Sequence, residues 1–346
     1  MTSKRPLGIG VIGLGMGATP HAKSLKDMSD RVTVRGVFAR DRDRREAFAG
    51  KFGFPAAESV DAIADDPDVD AVLLLTPPNA RAELVDRLSA TGKHILMEKP
   101  IERTTSAAEA LVAQCEDRGV RLGLVFQQRL RPNAEQLRAL LADGGVGAIA
   151  AVRLEVPWWR PQAGYYDQPG RGSLERDGGG VLLSQAIHAL DLMLSVTAPV
   201  TEVQAVTGTT ALHQMETEDF AAAGLRFGDG ALGALMATTA AYPGAGEQLA
   251  LDCANAGIVL KGRELTVNWH DGRVEVHEES GGVGAGADPM DFPHDWHLAL
   301  ITDFLDAVEA GRDPTVTARD GLKVHRLIDA LLESSRTKRA VVPAGG

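Results

Sequence analysis

Along its first third the chain alternates short apolar runs with amphipathic stretches. Residues 8–12, 32–39, 71–75, 94–97 and 121–126 read as strands. The stretches at 20–27, 43–52, 81–90 and 105–116 read as helices, with Thr105 or Ser106 available to cap the last. Residues 71–75 are apolar without a break, as in a strand covered on both faces of a parallel sheet. Regular strand–helix alternation specifies right-handed crossovers, so this region is expected to be an α/β domain built on a doubly wound parallel sheet.

Past Arg131 the texture changes. A helix over 133–141 leads into glycine-rich sequence, and partial period-two runs follow at 151–156, 202–206, 220–227, 231–239 and 248–253. Helices over 182–194 and 296–310 interrupt them, and 281–287 reads as a flexible loop. The expectation is two domains, 1–126 and 127–346. The second is an α/β domain with an open, mostly antiparallel sheet, helices on one face and the other face available to a second subunit.

Composition narrows the functional classes. At 346 residues the chain exceeds one domain's usual size. A formal charge of −11 argues against a surface that grips nucleic acid, although a local arginine cluster can still hold a small anion. Two cysteines, Cys115 and Cys253, exclude a disulfide framework and a cysteine-rich zinc site. Lys4 and Arg5 precede an apolar run at 7–16, but its glycines and the helical pattern after it favour a buried first strand over a secretion signal. No run approaches the ~20 apolar residues of a membrane span, so a cytoplasmic location is expected.

Gly13-Leu14-Gly15-Met16-Gly17-Ala18 falls where the first strand turns into the first helix. A dinucleotide's diphosphate needs small residues there and free helix N–H groups. Gly13, Gly15, Met16 and Gly17 are therefore the expected diphosphate cradle. At the end of the second strand an acid would hold the ribose hydroxyls of NAD, but the chain reads Ala39-Arg40-Asp41. Arg40 favours NADP over NAD, unless Asp41 turns inward. Thr76-Pro77-Pro78-Asn79 and Glu98-Lys99-Pro100 follow the next two strands, at the edge where open α/β sheets bind ligands. Thr76, Pro77, Asn79, Glu98 and Gln127 complete the expected cofactor set.

These motifs, together with Gly178-Gly179-Gly180-Val181-Leu182-Leu183-Ser184-Gln185-Ala186-Ile187-His188 and the 302–305 helix, resemble the glucose–fructose oxidoreductase/inositol dehydrogenase (Gfo/Idh/MocA) family over nearly the whole chain. The resemblance implies a Rossmann domain and a second open-sheet domain. It also implies NAD(P)-dependent hydride transfer at a hydroxyl carbon of a sugar, cyclitol or nucleotide sugar, and homodimers or homotetramers formed through the C-terminal sheet. Lys99 matches the family's active-site lysine and His188 its catalytic histidine. A histidine suits the proton that must leave as hydride departs. Inositol dehydrogenase-like members carry an aspartate four residues before that histidine, where this chain has Ser184. Ser184-Gln185 is more similar to the Asn-Gln pair of members acting on nucleotide-sugar uronates, and Arg81 stands where many relatives have a histidine.

Two of the four tryptophans and two of the three tyrosines cluster at Trp158, Trp159, Tyr165 and Tyr166, with Arg160 and Arg171 among or after them. Aromatics stack on sugar faces and arginines pair with carboxylate or phosphate, so Trp158, Arg160, Tyr165, Tyr166, Arg171, Ser184 and Gln185 form the expected substrate set. Arg129 and Arg131 are open to either a charge-supplying or a solvated role. His294, Asp295 and His297 lack the signature of a metal site, and no metal is expected. Two alternatives stand beside hydride transfer: a redox-inert NADP-binding regulator, and a redox-cycling NAD-dependent glycosidase.

Overall fold

The computed structural model describes residues 5–279 and 293–345. The loop expected at 281–287 lies outside them. The chain divides into two compact units, residues 1–127 with 294–321, and residues 128–293 with 322–346.

The first unit is a parallel sheet of β1 (Leu7–Ile12), β2 (Val32–Phe38), β3 (Ala71–Leu74), β4 (His94–Met97) and β5 (Leu122–Leu124), in the order β2-β1-β3-β4-β5. Every residue of β3 is buried, as its unbroken apolar run requires. Around it run α1 (Ala18–Asp27), α2 (Arg42–Phe52), α3 (Val60–Ala64), α4 (Ala82–Ala90) and α5 (Thr105–Asp117). Side-chain caps start three of them. Asp41 accepts from Arg44 N, Ser59 from Ala62 N and Thr104 from Ala107 N. The α5 cap is thus Thr104 rather than Thr105 or Ser106, because Thr104 is the last residue with extended backbone. The second unit holds α6 (Pro132–Asp143), β6 (Ile149–Pro157), α7 (Val181–Ser184) and α8 (Ile187–Val196).

The second unit's sheet continues with β7 (Val200–Gly208), β8 (Phe220–Phe227), β9 (Leu232–Thr238), β10 (Gln248–Cys253), β11 (Ala256–Lys261), β12 (Glu264–Trp269) and β13 (Val274–Glu278). The order is β13-β12-β11-β10-β6-β9-β8-β7, antiparallel except for the β6–β9 pair. β11 to β13 were not legible in the pattern. The helix expected over 182–194 is broken at Gln185 and Ala186, whose N–H groups both turn back to Val181 O. Buried and exposed positions alternate along the second half of β6, one face inward and one outward.

The returning segment corrects the expected boundary at 127. α9 (Asp295–Ala310) packs on α1 and β4 of the first unit, and Phe304 lies where a Cβ on Gly123 would come within 2.7 Å. α10 (Ala318–Thr337) carries the chain back to the second unit. Among the described residues no helix is long and apolar enough to cross a membrane.

Arg129 and Arg131 are neither solvated nor free for a ligand. Arg129 makes a bidentate pair with Asp191 at 2.7 and 2.5 Å, with Asp191 fully buried in α8. Arg131 is 1% exposed and bonds Glu279 and Gly262 O. Removing one partner of such a pair strands the other charge. Asp191→Asn is expected to destabilise the second unit by roughly 3–5 kcal/mol, and the double change Arg129→Met/Asp191→Leu to recover most of it. Chemical denaturation checks both, and a double variant no more stable than the single one would contradict the pairing argument.

Candidate active site

In the first unit β1 ends at Ile12, and Gly13 takes φ +98, where a Cβ would lie 2.7 Å from backbone atoms of Leu75 and Thr76. Only glycine allows this turn to press against the end of β3. A Cβ on Gly15 or Gly17 would meet nothing within 4 Å, and Met16 is exposed. α1 starts with no side-chain cap and no acid in its first turn; Ala18 N and Thr19 N turn back to Gly15 O and Met16 O, and the helix's positive dipole end stands at the glycine turn. These features fit a dinucleotide diphosphate held by Gly15, Met16 and Gly17. Two buried polar atoms along the same sheet edge, Thr76 Oγ1 and Gln127 Oε1, have no hydrogen-bond partner, as expected where a polar ligand completes the set. Arg40 is exposed with no ion-pair partner among the described residues, and Asp41 does not turn inward, because its carboxylate caps α2.

The Thr76–Asn79 loop and the Glu98–Lys99 segment are tied together by Arg81, which is 1% exposed. Its guanidinium donates to Thr76 O, Pro100 O and Ile101 O. Burial pulls it down to about 10, opposed by the charges of Glu98 and Glu102. Arg81 is therefore a staple between two strand ends, a role its place in the sequence did not reveal. The peptide between Lys99 and Pro100 is cis.

Glu98 accepts from His21 Nε2 at 3.0 Å and from Lys99 N at 3.1 Å. Burial raises its pKa, but the His21 hydrogen bond and the charges of His21, Lys99 and His297 prevail and hold it at about 2. His297 stands edge-on to His21, with ring centroids 4.8 Å apart, while His294 pairs with Asp27 at 2.6 Å. Ligand atoms of His21, Glu98 and His297 lie within 4.8 Å of one another. The trio's His21 Nε2 and Glu98 Oε1 are already hydrogen-bonded to each other at 3.0 Å. As arranged, it is an imidazole–carboxylate network fixing Glu98 next to Lys99.

In the second unit the triple glycine leads into α7, then α8, where His188 is 9% exposed. Ser184 Oγ donates to Gly179 O at 3.3 Å, and Gln185 Nε2 donates to the Tyr165 hydroxyl at 3.1 Å. The Arg160 guanidinium lies 5.0 Å from the Trp158 ring and 5.7 Å from Tyr165; that of Arg171 lies 4.9 Å from Tyr165. Burial lowers the Arg160 pKa, with the Tyr165 hydroxyl opposing. Tyr166 is buried, its hydroxyl bonded to Thr239 Oγ1 at 2.7 Å and pushed up by burial. The structure thus assembles Trp158, Arg160, Tyr165, Arg171 and Gln185 around one another. Tyr166 supports them from beneath.

Reading the sequence missed His21, which bonds Glu98 in the first unit, and His213 with the run Thr217-Glu218-Asp219, which bond Arg160, Gly172 and the start of α7 in the second. Adjacent acids directly before an apolar strand were the available signal.

Comparison with known proteins follows this division. The family model described as oxidoreductase family, NAD-binding Rossmann fold, matches residues 7–126, and the GFO/IDH/MocA C-terminal domain model matches 134–259. The myo-inositol 2-dehydrogenase of Thermotoga maritima is 26% identical over 340 residues, covering 96% of this chain and 97% of that protein. The UDP-N-acetylglucosamine 3-dehydrogenase of Acidithiobacillus ferrooxidans is 27% identical over 332 residues, covering 94% and 95%. The WlbA dehydrogenase from Bordetella pertussis, solved with NADH and UDP-GlcNAcA, shares the fold with a TM-score of 0.82 at 24% identity, over 98% of this chain and 99% of that one.

Two outcomes follow from the first unit's geometry. Gly13→Ala is expected to weaken NADH binding about tenfold or more, read by fluorescence titration; unchanged affinity would contradict the close approach. Because the Glu98 pKa is depressed when folded, its stabilisation is complete above the unfolded value near 4.5 and is lost as pH falls toward about 2. The melting-temperature difference between wild type and Glu98→Gln should therefore hold from neutrality down to about 4.5 and shrink as pH falls from there toward about 2; a difference that stays constant below 4.5 would refute the depressed pKa.

Proposed function

Because the chain belongs to the Gfo/Idh/MocA family of NAD(P)-dependent oxidoreductases, we propose that it moves a hydride between nicotinamide and a ring hydroxyl or ketone of a sugar, cyclitol or nucleotide sugar, with Lys99 and His188 as the catalytic pair. The supporting observation is the uncapped glycine turn at the end of β1, in a sheet where the end of β4, two strands away across β3, carries Lys99.

The bound nicotinamide supplies the hydride acceptor in oxidation and the donor in reduction. In the oxidising direction His188 takes the hydroxyl proton as the C–H electron pair leaves. The Lys99 ammonium orients the oxygen and stabilises its developing negative charge. Trp158 and Tyr165 stack against the ring face, and Arg160, Arg171, Ser184 and Gln185 bond its polar groups. NADP is the preferred cofactor, since Arg40 has no ion-pair partner among the described residues and Asp41 is committed to its helix cap. Exposed apolar residues on the second sheet, Val206 and Leu232 among them, suit assembly into a homodimer or homotetramer.

A redox-inert NADP-binding regulator is the second reading. It draws on Ser184, whose hydroxyl donates to Gly179 O and lacks the carboxylate that inositol dehydrogenase-like members place one turn before the histidine.

Incubation with NADP and a panel of myo-inositol, levoglucosan and UDP-N-acetylglucosamine should yield stoichiometric NADPH. Cofactor binding without turnover of any of them favours the regulator, and product without net NADPH favours redox cycling. Lys99→Met and His188→Gln should each lower kcat by about 100-fold or more with NADPH affinity nearly intact. Arg40→Ala should raise KM for NADPH about tenfold while moving KM for NADH far less; equal changes would remove the NADP preference.

A further inference from the structure

We propose that Glu218 and Asp219, adjacent in the segment that leads into β8, are positioning residues: Glu218 sets the helix pair that carries His188, and Asp219, through His213, sets the loop that carries Trp158 to Tyr165. This rests on the roles given above to His188 and to the aromatic loop.

Neither acid reaches substrate. Glu218 is 8% exposed, Asp219 0% and His213 5%. Glu218 instead binds three successive N–H groups at the start of α7. Its side chain accepts from Gly180 N at 3.2 Å and Leu182 N at 3.1 Å, and its backbone carbonyl accepts from Val181 N at 2.8 Å. A helix of four residues, with no cap of its own, has no independent stability. Its position is therefore given by what holds its first turn. A Cβ on Gly180 would lie 1.9 Å from Glu218 O, so glycine is required for Glu218 to come this close. α7 ends at Ser184, the Gln185–Ala186 break follows, and His188 is the second residue of α8.

Asp219 works in the opposite direction. Oδ1 accepts from Thr210 N at 2.7 Å, and Oδ2 from Thr210 Oγ1 at 2.6 Å and His213 Nδ1 at 2.7 Å. His213 Nε2 meets Arg160 O at 2.8 Å, and a carbonyl oxygen can only accept. Nε2 therefore donates, and Nδ1 faces the Asp219 carboxylate on the other side of the ring. The clamp fixes the backbone between Trp158 and Tyr165. The His213 ring also packs on Tyr166 with centroids 4.7 Å apart, and Thr217, two residues before Asp219, donates its hydroxyl to Gly172 O at 3.0 Å. Two segments about twenty residues apart are thereby set by side chains separated by one peptide bond.

The near-isosteric changes Glu218→Gln and Asp219→Asn test this in the full-length chain. Glu218→Gln sets a donor against the backbone N–H of Gly180 or Leu182, and Asp219→Asn removes the carboxylate charge that faces His213 Nδ1. In amide hydrogen exchange without ligand, Glu218→Gln should raise exchange over residues 179–188 and leave 158–172 unchanged, and Asp219→Asn the reverse. With whichever of myo-inositol, levoglucosan or UDP-N-acetylglucosamine the wild type oxidises, Glu218→Gln should lower kcat about tenfold with KM within about twofold. Asp219→Asn should raise sugar KM about tenfold with kcat within about twofold. If Asp219→Asn does not fold, His213→Gln takes its place. Exchange that rises over both segments in each variant, exchange that does not change, or kcat and KM moving together would overturn the proposal. Segment-specific exchange in a chain that oxidises none of the three probes supports the positioning and counts against hydride transfer instead.

Discussion

The first backbone N–H groups of a helix have no carbonyl above them and must find an acceptor elsewhere. Two helices of this chain that follow glycine turns meet the requirement in opposite ways, and the functional reading follows from the contrast. α1 has neither side-chain cap nor acid in its first turn; its first amides turn back on Gly15 and Met16, and its positive end is left to an anionic ligand. α7 has its first-turn amides bound by Glu218, a residue 38 positions away in the segment that leads into β8. Glycine serves both starts, at Gly13 so that the turn can press on Leu75 and Thr76, and at Gly180 so that Glu218 can press on the helix.

Buried charge is handled with the same economy. Arg81 reaches no carboxylate directly and spreads its charge over backbone carbonyls at two strand ends, where Glu98 and Glu102 offset part of its burial cost. Arg129 and Arg131 are held by carboxylates. Glu98 is surrounded by His21, Lys99 and His297, and stays ionised far below neutral pH. A carboxylate fixed in this way presents constant negative charge beside Lys99.

The aromatic loop shows how a flexible-looking segment is made into a defined surface. Its composition, rich in tryptophan, tyrosine and glycine, has no periodicity that would set its shape. Its geometry comes from outside: the Asp219–His213 clamp on Arg160 O, the Thr239 bond to Tyr166, and the Gln185 bond to Tyr165. Preorganisation of this kind reduces the ordering cost that substrate binding would otherwise carry.

What the amino-acid sequence determined by itself is local. The five parallel strands, the glycine turn after β1, the absence of an acid at Ala39 and the exposed Arg40 follow from period, turn chemistry and residue type within a few positions. The resemblance carried by Gly13, Glu98-Lys99-Pro100 and the triple glycine was enough for the family. Tertiary structure decided the rest, because the deciding contacts join residues far apart in the chain. Glu218 lies 38 residues from Gly180, Arg160 53 from His213, and His21 77 from Glu98. The three last strands, the return of 294–321 to the first unit, the break at Gln185 and the burial of Arg129 and Arg131 were hidden for the same reason. Hydrophobic periodicity reports which face of an element is covered, whereas a buried polar partner is specified only when the folded backbone brings its acceptor within about 3 Å.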